Sequence, residues 1–123
     1  MTVLALAPQA TLAQGTLPLA PAPVQSVVDI DNGDARVLHD RQSNMLTLAL
    51  YQNRLDIPLS TFEGTIRLTG GGSTMDLSRK HANSPVTLEV NYYWCGYPRN
   101  GMIYEKHSFD GNDWKLLKSK DRS

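Results

Sequence analysis

The sequence predicts an all-β fold: a small antiparallel sandwich or barrel, with a C-terminal three-stranded meander and an extended Pro-rich N-terminal segment. Three observations predict it. From residue 29 onward apolar residues recur at every second position; the alternating runs are short and separated by Gly, Asn, Asp and Pro; and no longer window carries an i, i+3, i+4, i+7 stripe. About seven to nine such strands bury their apolar faces only against one another, which is the arrangement of a sandwich or closed sheet.

The chain opens differently. Residues 1–28 contain no Asp, Glu, Lys or Arg and hold Pro8, Pro18, Pro21 and Pro23, so a charge-free, Pro-rich segment precedes a single β domain over 29–123. Proline fixes φ and lacks a donor, which favours an extended chain through 18–23 over a helix. The apolar run Val3–Ala7 and the small residues Ala10 and Ala13 match the end of a secretory signal, with Thr11-Leu12-Ala13 as a cleavage site, or form an apolar tail. The first reading predicts a periplasmic or secreted protein. No stretch approaches the roughly 18 apolar residues of a membrane-spanning helix, so no transmembrane segment is expected.

Val27–Ile30 and Ala35–His39 form the first expected strand pair, around Asp31-Asn32-Gly33-Asp34. Leu46, Leu48 and Leu50 alternate with Thr47 and Ala49, and Leu55, Ile57 and Leu59 with Asp56 and Pro58, giving a second hairpin through Tyr51–Arg54. Pro58 cannot donate to a ladder, which places its strand at an edge or a bulge. Ile66 and Leu68 face Met75 and Leu77 across Thr69-Gly70-Gly71-Gly72-Ser73-Thr74, a hairpin with a flexible tip. Ser78–Ser84 is short enough for one helical turn. Val86, Leu88, Val90, Tyr92 and Trp94 then alternate with Thr87, Glu89, Asn91 and Tyr93, the clearest strand in the chain. Met102–Phe109 returns after Cys95–Gly101, and Asp113–Lys118, with Trp114 and Leu116 inward, closes the meander after Asp110-Gly111-Asn112. The aromatic content of this third of the chain predicts that the core is densest there.

Twelve Lys and Arg balance twelve Asp and Glu, and 41% of the 123 residues are hydrophobic. A domain of this size buries enough surface to fold without staples. Zero net charge removes the basic footprint of a phosphate-neutralising protein, so nucleic acid is not expected as a partner. The single Cys95 excludes an internal disulfide and the multi-cysteine zinc patterns. Cofactors are therefore expected to be none, with calcium as the one weak candidate: Asp29, Asp31 and Asp34, with Asp40 at the twelfth place, alternate like a cation loop. The spacing departs from that loop, since Gly33 stands fifth and no Glu is twelfth, and an Asx-rich turn explains the same residues. The Gly70–Gly72 run lacks the Lys-Ser/Thr of a phosphate loop, and Ser73-Thr74-Met75 after it lacks the closing Gly of a Gly-x-Ser-x-Gly elbow, so it is read as a hairpin tip. Cys95 and His107, on neighbouring expected strands, would suit a thiol hydrolase if they met, but a structural or surface cysteine is the simpler reading. His39 and His81 have no ligand-spaced partners and are read as solvated loop residues.

What remains is the Tyr93–Gly101 segment. Tyr93 points opposite to Tyr92 and Trp94, while Tyr97 and Arg99 lie on the turn; Tyr and Arg on a projecting turn are the side chains that dominate binding hot spots. Tyr104 and His107 on the returning strand complete the candidate binding set. The last 60 residues carry Asn91-Tyr92-Tyr93-Trp94, Phe109-Asp110-Gly111 and Trp114-Lys115-Leu116, which resemble the end of small exported bacterial β-proteins. Some of these are periplasmic toxin-immunity proteins and lysozyme inhibitors, which plug an active-site cleft with a loop. The resemblance implies a non-enzymatic module whose protein partner is a toxin or cell-wall enzyme; it assigns no individual residue a role. The alternatives are an assembly subunit that adds its N-terminal segment to a neighbour's sheet, and the Cys95–His107 hydrolase.

Overall fold

The computed structural model describes residues 24–29, 34–94 and 101–121. Its nine strands are β1 (Val24–Asp29), β2 (Ala35–Asp40), β3 (Met45–Leu50), β4 (Asn53–Pro58), β5 (Gly64–Gly70), β6 (Ser73–Arg79), β7 (Val86–Trp94), β8 (Gly101–Phe109) and β9 (Trp114–Asp121). Each strand pairs antiparallel with its chain neighbour, forming a four-stranded sheet β1-β2-β3-β4 and a five-stranded sheet β5-β6-β7-β8-β9. The two sheets pack face to face as a sandwich around one core. The expected β class and C-terminal meander are present; the Pro-rich segment 1–23 lies outside the described residues.

Period-two patterning decides which face is inward. In the first sheet Val37, Leu48 and Leu55 lie in one register row, as do His39, Leu46 and Ile57. In the second, Leu77 pairs Leu88 and Met75 pairs Val90. Leu46, Leu48, Leu50, Met75, Leu77, Leu88 and Val90 are all fully buried, and each contributes about 1.5 to 3 kcal/mol by leaving water. Pro58 sits on β4, the terminal strand of its sheet, where the missing N–H leaves no gap in a ladder.

Several expectations change. The first strand begins at Val24, inside the charge-free segment, because Val-Gln-Ser-Val-Val alternates well enough to pair with β2 although it lacks charge. The Gly-rich tip is a tight two-residue turn: Gly70 pairs Ser73, and Gly71 and Gly72 take positive φ of 57° and 81°, as a hairpin of this length requires. Ser78 and Arg79 complete β6, and residues 80–84 form bends and turns rather than a helical turn. The core is centred on the leucines of β3 and on β6–β7, not on the last strand. Trp114 is half-buried, but Leu116 is 55% exposed, because β9 lies at the edge of the wider sheet. His39 is no solvated loop residue: it occupies the inward position after Ala35 and Val37 and is 2% exposed. His81 is exposed.

Candidate binding site at the tyrosine end of the sandwich

The two ends of the sandwich differ. At one end, side chains tie the connections together. Trp114 Nε1 donates to His39 Nδ1 at 3.3 Å, and His39 Nε2 donates to Asn44 Oδ1 at 2.8 Å. Leu59 N donates to Asn44 O at 3.0 Å, and the Arg79 guanidinium donates to the carbonyls of Leu59 and Phe62. Indole is donor-only, so this network assigns His39 the Nε2–H tautomer. Arg41 reaches Asn112 O and Asp113 across the same end.

The opposite end carries the β3–β4 and β5–β6 turns and the last residues of β7. Tyr51 is the first residue of the two-residue turn joining Leu50 to Asn53, and its φ is 56°. That conformation is ordinary for Gly but costs a side-chain-bearing residue roughly 1 to 2 kcal/mol. A Cβ on Gly71 would fall on the Tyr51 ring, and one on Gly72 would lie 2.6 Å from the Tyr93 ring. The glycine turn is therefore a seat for two rings, one from each side. Each ring still presents a large surface: Tyr51 is 44% and Tyr93 42% exposed. The seat is anchored from both sheets. Tyr51 N donates to Asp34 O at 2.7 Å, Asn53 Nδ2 to Thr69 O at 2.7 Å, and Tyr93 N to Ser73 Oγ at 3.1 Å.

Three of the five residues expected to bind are described, and His107 faces away from the other two. Tyr93 is at this end and points to the outer face, as its parity predicts. Tyr97, Arg99 and Cys95 lie outside the described residues. Tyr104 is three residues into β8 and buried, its hydroxyl donating to Glu89 at 2.6 Å. His107 faces the opposite side of the same sheet, in register with Leu88, and is buried beside Glu105 at 2.9 Å. Tyr104 ties β8 to β7, His107 is held within β8 by Glu105, and both are buried rather than offered to a partner. Trp94, the last described residue of β7, pairs with Gly101, six residues along β8 from His107, or roughly 20 Å at about 3.3 Å per residue.

The acidic candidates are likewise dispersed. Asp29 faces Arg36 at 3.7 Å, Asp34 supports the Tyr51 turn through its carbonyl, and Asp31 lies outside the described residues. Asp40 is at the far end of the β1–β2 pair, where it accepts from Gln42 N and Ser43 N in a local turn. Among the described residues no group of three or more His, Cys, Asp or Glu is placed to hold a metal.

The inner-face pair has a consequence for acid stability. The hydrogen bond from His107 holds the Glu105 carboxyl below its ordinary 4.5, against the upward push of burial, with further help from the charge of His107 and the Tyr92 hydroxyl. A carboxylate with a depressed folded pKa stabilises the fold above its unfolded pKa, and that contribution disappears as pH falls through the folded value. Melting temperature is expected to fall as pH drops from about 5 toward 3, and Glu105→Gln to flatten part of that slope. An unchanged slope in the variant would show that the pair plays no part in acid unfolding.

Comparison with family models, with curated proteins and with solved structures finds no match to this chain.

Proposed function

We propose that this protein is a non-enzymatic binding module, exported from the cytoplasm and acting as an inhibitor or immunity protein, which docks a protein partner on its tyrosine end. The reading is carried by Tyr51, an exposed aromatic held at positive φ on a turn where Gly would be unstrained, and seated with Tyr93 on one Gly-Gly turn. Strain of this kind concentrates at functional sites, because a residue chosen only for the fold would relax it. Tyrosine gives much contact area for two rotatable bonds, and rings pinned against glycine lose little further freedom on binding. The connection from Trp94 to Gly101, which carries Tyr97 and Arg99 in sequence, leaves and re-enters the sheet at the same end. Export is supported by the apolar, charge-free start of the chain, and loop-mediated inhibition by the resemblance in the last 60 residues.

Tyr51→Gly separates binding from folding. It deletes the ring and relieves the backbone, so thermal stability is expected to stay level or rise slightly, while affinity for a partner captured from a cell-envelope extract falls by about 1 to 3 kcal/mol. Tyr93→Ala is expected to weaken the same complex by a similar amount. Retained affinity in both variants, or a melting temperature that falls with Tyr51→Gly, would reassign the rings to the fold.

A further inference from the structure

The last strand gathers its lysines on one face by means of a bulge. Ser108 pairs Lys115 and His107 pairs Leu116, but Lys106 then pairs Lys118, leaving Leu117 as the extra residue. Strict alternation would have sent Lys118 and Lys120 to the same face as Leu116. The bulge reverses the parity, so Lys115, Lys118 and Lys120 all stand on the outer face beside Lys106, while Leu116 and Ser119 lie on the inner side. Leu117 on the bulge is 57% exposed.

β9 ends the order of its sheet, and every residue in it from Lys115 onward is exposed. Such an edge accepts a strand through its backbone, and its side chains decide which strand. A second copy of β9 would set lysine against lysine on the outer face, which destabilises a pair. Of the neighbouring acids, Asp76 holds Arg67 in a two-pronged pair at 2.7 and 3.0 Å, Glu89 stands opposite Lys106 and Asp110 lies within reach of the Lys115 charge, so Lys118 and Lys120 are not offset by these three acids. The lysine row is thus left with an excess of positive charge, and the inner side of the strand with the exposed Leu116.

We infer that β9 is a docking edge for an extended partner strand in which acidic residues alternate with apolar ones. The acids would lie opposite Lys115, Lys118 and Lys120, and an apolar residue would cover Leu116. This site is separate from the tyrosine end and stands or falls apart from it.

The test uses the full chain and a fluorescent alternating Glu-Val peptide of about eight residues, one strand length. It is expected to bind about tenfold or more tighter than its Gln-Val counterpart, from three cross-strand charge pairs, and to lose that advantage in high salt. It should slow hydrogen exchange at β9 amides and bind the double variant Lys118→Gln/Lys120→Gln about as weakly as the Gln-Val peptide binds the unaltered protein. Any of three results overturns the inference: equal binding of the Glu-Val and Gln-Val peptides or of a peptide copying the charge-free residues 3–12; equal binding of a backbone-N-methylated Glu-Val peptide, which cannot complete a ladder; or binding to phosphatidylglycerol vesicles without binding to the Glu-Val peptide. Circular dichroism of the double variant, whose lysines are both exposed, confirms that a loss of binding is not a loss of fold.

Discussion

Replacing His39 with alanine is expected to destabilise the protein by about 3 to 5 kcal/mol, the range of a large buried side chain removed with its hydrogen bonds. The ring contributes in two ways. It packs edge-on against Phe109 at 4.9 Å and Trp114 at 6.2 Å, so it joins β2 of one sheet to β8 and β9 of the other. Both of its nitrogens are also used, one accepting from Trp114 and one donating to Asn44. His39→Leu separates the two contributions. Leucine restores most of the packing but leaves the indole N–H and the Asn44 oxygen without their partner, so it is expected to cost less, about 1 to 3 kcal/mol. Urea unfolding of the two variants measures both values. If leucine proved as damaging as alanine, hydrogen bonding would dominate; if neither variant lost more than about 1 kcal/mol, His39 would not be the joint between the sheets.

His39 also shows what was legible in the sequence. Counting by twos from Ala35 and Val37 reaches it on the inward face, so the signal was present, but a histidine near Asp40 invited a solvated reading. β7 was legible because its inward residues from Val86 to Tyr92 are unbroken apolar positions, and the same count sent Tyr93 outward. In β9 alternation placed Trp114 and Leu116 on the inner side, but nothing in the pattern marks an edge strand, so the exposure of Leu116 was not legible, nor was the bulge at Leu117 that reverses parity after it. The tyrosine end was half legible. Tyr93 followed from alternation, whereas the seat on Gly71–Gly72 and the partner ring of Tyr51 arise from turns of two different sheets, joined by contacts about twenty residues apart in the chain. Tyr104 and His107 were chosen as neighbours in sequence, yet alternation sends His107 to the inner face, away from Tyr93, while Tyr104, on the outer face with Tyr93, is buried with its hydroxyl on Glu89.

Arg79→Met is expected to cost about 2 to 4 kcal/mol, although it removes no apolar contact. Residues 59–63 carry the chain from the first sheet to the second, and the carbonyls of Leu59 and Phe62 turn away from both ladders. Arg79, at the end of β6, satisfies them with one guanidinium, Nε donating to Phe62 O at 2.9 Å and Nη2 shared between the two. Leu59 and Phe62 are themselves buried, so these oxygens face a partly water-excluded space where a lost donor is not fully replaced. Arg79→Lys tests the geometry: an ammonium keeps the charge but lacks the planar fork, so it is expected to recover less than half of the loss. Full rescue by lysine would mean that positive charge alone matters at this crossing. Stability retained by methionine would mean that water replaces the fork, and that end of the sandwich would then be held by His39 and Asn44 without it.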